Sequence, residues 1–158
     1  MKNKTTLAGI GNKPIHQYII SDLIFAIRKK LVAKKIASKY GVLPEITLSE
    51  IGYETTSYNF SKNHNIDLVV IEKKSGDILF LAEIEREGMN ITNTKNKISE
   101  CLKTIPTIKE AFIIKFTMCG ETSFELCELV KGKLICTPTS STSELLDIVL
   151  KTSLISLR

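Results

Sequence analysis

Two acids, Glu83 and Glu85, close the apolar run Ile78-Leu79-Phe80-Leu81-Ala82-Glu83-Ile84-Glu85. Side chains two apart on a strand share a face, so Leu79, Leu81, Glu83 and Glu85 point one way, and Ile78, Phe80, Ala82 and Ile84 point the other. The second set is a core face. The first is apolar until it meets two consecutive carboxylates, which repel each other and are costly to bury unless a cation or a partner sits between them. A third acid, Asp67, stands at the start of the preceding apolar run, 66–72. If Lys74-Ser75-Gly76 is a three-residue hairpin loop with Gly76 left-handed, Lys73 faces Asp77 and Asp67 falls opposite Glu83. Opposed side chains on one face are about 4.5–5.5 Å apart at Cβ, so Asp67, Glu83 and Glu85 would form one cluster. A two-residue Ser75-Gly76 loop shifts the register by one and loosens it. Clustered carboxylate oxygens suit a hard cation, Mg²⁺ or Mn²⁺, which keeps several waters and also takes phosphate oxygens. Such an ion polarises a phosphodiester and supplies hydroxide near neutral pH.

The elements that must position these acids follow from periodicity. Residues 1–13, with Gly9 and Gly11, read as a loose lead-in. From Pro14 to about Lys39, Ile15, Ile19, Leu23, Ile27 and Leu31 recur every four residues, which predicts an amphipathic helix with Gly41 as its stop. Arg28, Lys29, Lys30, Lys34, Lys35 and Lys39 crowd its second half, as a solvated face or a phosphate-facing patch. A strand is expected over 45–54 and a polar loop over 55–65, followed by the hairpin of 66–72 and 78–85. A short helix over 94–105 presents Ile98, Cys101, Leu102 and Ile105, and Pro106 ends it. Strands follow at 110–118, 124–130 and 133–137, the last two joined across Lys131-Gly132. A closing helix spans 143–154, where Ser141 and Glu144 have capping-box spacing.

The 158 residues suffice for one domain with its own core. Apolar residues are 43% and charged residues 25%, which argues against disordered, collagen-like and coiled-coil classes. No apolar run reaches membrane-span length and the N-terminus lacks a signal-peptide centre, so no membrane association and a cytoplasmic location are expected. Cys101, Cys119, Cys127 and Cys136 show no CxxC spacing, and reduced, mostly buried thiols are expected. The net charge of +5 suits an anionic partner.

The segment Asn65-Ile66-Asp67-Leu68-Val69-Val70-Ile71, followed by Ile78 to Glu85, resembles the central hairpin of the PD-(D/E)xK nucleases, in which an Asp opens one strand and Glu-x-Lys ends the next. The resemblance covers residues 14–118. It implies an α/β, restriction-endonuclease-like αβββαβ core, a mixed sheet flanked by helices, here extended by a C-terminal hairpin and helix. It further implies a Mg²⁺- or Mn²⁺-dependent endodeoxyribonuclease of restriction or repair type acting on DNA, with Asp67 and Glu83 on the metal. The chain departs from the family at Glu85, which occupies the lysine position. Some restriction endonucleases resembling the family carry Glu-x-Glu there; otherwise a lysine from Lys97 or Lys115 must orient or deprotonate the attacking water. The family's additional acid falls on Glu54, Glu50 or Asp22, with Glu54 nearest a strand end and taken as the third metal ligand. A duplex has two strands to cut and one domain offers one site, so the nuclease reading implies a homodimer. The alternatives are a catalytically inactive nuclease-fold subunit that binds DNA or assembles a complex, and a protein-interaction domain whose acids merely face solvent.

His64 lies three residues before Asp67 and can contact phosphate or sit in a surface loop. His16, in the first turn of the long helix, is given no special role. Tyr53, Tyr58 and Phe60 can stack on bases or pack the loop. The sequence contains no Walker loop, no Gly-x-Ser-x-Gly turn and no dinucleotide fingerprint.

Overall fold

A computed structural model describes residues 7–51 and 65–139. The chain runs through α1 (Leu7–Ala33), β1 (Tyr40–Thr47), a 3-10 turn (Leu48–Ile51), β2 (Asn65–Glu72), β3 (Ile78–Arg86), α2 (Thr92–Thr104), β4 (Glu110–Phe116), β5 (Thr122–Val130) and β6 (Lys133–Thr139). The six strands form one sheet in sequence order. β3 and β4 are parallel, connected by α2 as a crossover, and every other neighbouring pair is antiparallel. The fold is therefore α/β with a mixed sheet. Among the described residues no helix is long and apolar enough to cross a membrane.

Each face of the sheet buries its own core. On one face Ile20, Leu23, Ile27 and Leu31 of α1 pack with Val42, Val70, Phe80, Ala82, Ile84, Phe112 and Ile114. On the other, Ile98, Cys101 and the following Ile105 pack with Val69, Leu81, Ala111, Ile113 and Cys127. From Phe80 onward in β3 and along β4, adjacent buried residues enter opposite cores, the period of two that a sheet covered on both sides requires. Ile78 packs in the second core and Leu79 against the first, so before the register shift these two take the faces opposite to those expected from strict alternation.

Several boundaries differ from the periodicity reading. The helix begins at Leu7, so part of the expected lead-in is helical and Pro14 lies within α1. It ends at Ala33 instead of near Lys39, because Lys35 takes a left-handed φ of 58° and Ile36 N–H donates back to Leu31 O at 2.9 Å, a Schellman-type stop made without glycine. Gly41 is consequently not a helix stop but the second residue of β1. β1 starts five residues before the expected strand, drawn to the apolar face of β2, where Val42 meets Val70. Pro44 then lies inside a strand, which β1 tolerates as an edge strand that need not donate on its outer side. The loop 55–64, Glu54 and the closing helix 143–154 lie outside the described residues.

The β2–β3 turn also forms differently. Glu72 N–H donates to Asp77 O at 2.9 Å and Gly76 N–H to Glu72 O at 2.8 Å, so Lys73 is not the partner of Asp77. Gly76 has the expected left-handed φ, 77°. A register shift between Val70 and Ile71 then brings Val70 opposite Phe80 and Leu68 opposite Ala82. That register continues toward Asp67 beside Glu83, the juxtaposition the acids require, reached through a bulge and not through the turn.

Candidate functional site

Past the Leu68–Ala82 pair the β2–β3 ladder stops, and Ile84 N–H donates to the Asp67 carboxylate at 2.7 Å in place of a strand carbonyl. The other neighbour of β2 is irregular at the same level. Pro44 pairs with Leu68 and Ile46 with Ile66, while Glu45 between them has a φ of 47°. A left-handed non-glycine residue is sparsely populated and persists where surrounding contacts hold it. Here Gln17 Nε2 of α1 donates to Glu45 Oε1 at 2.7 Å. The local break in the sheet lets Asp67 reach across to α1, where His16 Nε2 lies 3.2 Å from its Oδ2.

Glu83 is 2% exposed, the one fully buried charged side chain among the described residues. Its Oε2 lies 2.5 Å from Lys97 Nζ, which also donates to Asn65 O at 2.8 Å. Its Oε1 is buried without a hydrogen-bond partner. Burial raises the Glu83 carboxyl to about 8, the Asp67 charge adds to the rise, and Lys97 offsets only part of it. The Lys97 contact by itself favours the ionised form, but a single ammonium does not compensate desolvation plus a second acid, so the upward direction holds. Glu85 leaves the buried zone at the strand end and accepts a hydrogen bond from Thr94 Oγ1 in the first turns of α2.

These groups line one cleft of about 340 Å³, bounded by His16, Asp67, Glu83, Glu85, Arg86, Met89, Lys97 and Phe116. The His16 ring packs at a tilt of 60° against Phe116, centroids 6.4 Å apart. The hydrogen bond and charge of Asp67 raise the His16 pKa above its usual value against the opposing effect of burial, with Glu45 adding a smaller rise. Three acids thus face three basic groups, His16, Arg86 and Lys97.

Asp67, Glu83, Glu85 and Lys97, each singled out from sequence, share this cleft. Lys115 does not: its Nζ pairs with Glu125 Oε1 at 2.9 Å on β5. Glu50 caps Thr47 N–H at 2.9 Å and is exposed, and Asp22 lines a separate apolar groove beside Ile19, Leu23 and Phe124. Glu54, Tyr53, Tyr58, Phe60 and His64 lie outside the described residues. Cys101 and Cys127 are buried, Cys136 is half-buried and Cys119 is exposed. His16 and Arg86 are the members that sequence reasoning passed over. Fifty-one residues separate His16 from Asp67, and no local pattern signals a contact of that range.

Among the described residues no group of three or more His, Cys, Asp or Glu side chains is arranged to hold a metal ion. Mg²⁺, however, is commonly held by one or two carboxylates with waters and substrate phosphates supplying the rest. Asp67 and Glu83, the latter with an unpartnered buried oxygen, fit that smaller set. No protein-family model matches the chain, and no curated protein matches it at a significant level.

Proposed function

We propose that the protein is a metal-dependent endodeoxyribonuclease on a restriction-endonuclease-like core, and that the cleft at the ends of β2 and β3 is its active site. The observation that carries this reading is the buried Glu83 carboxylate, with one oxygen unpartnered, beside Asp67 and Lys97 at the end of a hairpin. A buried acid of raised pKa in a cleft with a specific charge partner is where functional groups concentrate. Asp67 and Glu83 would hold Mg²⁺ or Mn²⁺, which supplies Lewis-acid polarisation of the phosphodiester and an acidified water.

The chain's own side chains divide the remaining tasks. Ile84 N–H and His16 fix the Asp67 carboxylate from two directions, so it meets a cation in one orientation. Lys97 approaches from α2 and offers the ammonium that Glu85 cannot supply at the strand position, suited to orienting a water or a phosphate oxygen. Arg86, on the cleft rim, presents a planar fork that suits bidentate phosphate contact. Thr94 holds Glu85 at the mouth, where its charge remains solvated.

A second reading, a catalytically inactive nuclease-fold subunit that binds DNA, draws on the same residues. Lys97 already neutralises Glu83, and an acid held at about 8 is largely protonated at neutral pH without a cation. That reading predicts DNA affinity that weakens as salt rises, without cleavage. The discriminating experiment is a gel assay on linear, circular, single-stranded and branched DNA with Mg²⁺, Mn²⁺ or chelator. Metal-dependent cutting abolished by Asp67→Ala and by Glu83→Ala, with both variants folded, supports the nuclease. Salt-sensitive binding without cutting supports the inactive subunit, and cutting that survives both substitutions removes the site.

A further inference from the structure

α1 is apolar on two opposite sides. Ile19, Ile20, Leu23, Ile27 and Leu31 face the sheet and are buried. On the far side Tyr18, Phe25 and Val32 are 73%, 69% and 65% exposed, and they recur at intervals of seven residues. Seven residues are close to two helical turns, so the three side chains form one stripe along the solvent face. A helix with a single partner carries one apolar stripe; a second implies a second partner. The polar residues beside the stripe are arranged about Phe25. Ser21 and Asp22 precede it, Arg28 and Lys29 follow it, and all four are exposed.

We infer that this face is a dimer interface between two copies of the chain, with their α1 helices antiparallel about a two-fold axis at Phe25. In that pairing Phe25 meets Phe25, and Tyr18 meets Val32 of the second copy. Asp22 falls beside Lys29 of the second copy on both sides of the axis, while Ser21 and Arg28 line the other flank of the stripe. A two-fold interface requires each patch to complement itself, and an acid three residues before the centre with a base four residues after it on the same flank does so. A membrane surface or a nucleic acid would match the lysines but would oppose Asp22. An acid before the aromatic and a base after it on one exposed flank fit a second copy better than either. The inference stands on α1 alone and is independent of what the cleft does.

Sedimentation velocity on the full chain tests it. The wild type should sediment as a dimer of the 17.6 kDa chain, reversibly with dilution. Phe25→Asp, at an exposed position, should keep its circular dichroism and melting profile while weakening the dimer by about 30-fold or more. Asp22→Lys and Lys29→Asp should each weaken it, and the double variant should recover most of the loss. A monomeric wild type, whether the stripe is covered by residues 140–158 of the same chain or stays open, overturns the proposal. So does a dimer indifferent to Phe25→Asp, which would place the interface elsewhere, or a charge swap with no recovery.

Discussion

Lys97 on α2 and Glu83 on β3 meet at 2.5 Å, although they stand fourteen positions apart in the chain with a polar turn between them. The contact exists because α2 is the crossover between parallel strands β3 and β4, which lays its Ile98 face on the sheet and turns Lys97 toward the strand ends. In the proposed nuclease the helix would thereby supply the lysine that the strand lacks. Under the nuclease reading, Lys97→Met should lower metal-dependent cleavage by about 100-fold or more. It should also move the activity profile to higher pH, because Lys97 holds the Glu83 pKa down and its loss lets it rise further. Rate against pH for the two proteins measures both effects; an unchanged rate would remove Lys97 from the site.

Glu83 gives the fold a pH dependence with a definite sign. Its carboxyl is raised from 4.5 to about 8, so between those values the folded protein holds a proton that the unfolded chain has released. This contribution to stability falls as pH rises through that window and then levels off above it. Glu83→Gln cannot ionise and should remove that slope. Its melting temperature relative to wild type is expected to climb by roughly 5 °C between pH 5 and pH 9. Parallel melting curves across the range would contradict the raised value.

For His16 the sign is the same. Its raised pKa means that the imidazolium–Asp67 interaction stabilises the fold fully below 6.5 and is lost as pH rises through the higher folded value. An NMR titration of the ring protons should place His16 above 6.5, with His64→Gln identifying the signal. Asp67→Asn should bring it down, since Asp67 is the largest cause of the rise. A His16 midpoint unaffected by that change would mean the pair does not persist in solution.

The helix that delivers Lys97 and Thr94 depends on its buried face. Ile98 is fully buried in the second core, and Ile98→Ala should cost about 2–5 kcal/mol by urea unfolding. A loss below about 1 kcal/mol would mean that α2 is not packed as described.

Much of this site is legible in the chain because strand alternation is local. The apolar runs of β2 and β3, the acids at their ends and the amphipathic α2 can all be read from spacing, and Asp67, Glu83, Glu85 and Lys97 do share a cleft. The juxtaposition of Asp67 and Glu83 depends on a bulge between Val70 and Ile71 that no residue type announces, since the turn alone would have set a different register. His16 and Glu45 were not readable for the same reason that they matter: their places depend on how α1 crosses a break in the β1–β2 pairing. The end of α1 at Lys35 misleads in the other direction, because a lysine takes the left-handed position usually filled by glycine while Gly41 enters a strand.

The most direct test of the cleft is Mn²⁺ binding followed by electron paramagnetic resonance, with and without duplex DNA. The wild type should bind one ion more tightly at pH 8 than at pH 6, because Glu83 must shed its proton to ligate, and Asp67→Ala and Glu83→Gln should each abolish that binding. Mn²⁺ binding retained in both variants, or absent from the wild type even with DNA present, would contradict a metal site at Asp67 and Glu83.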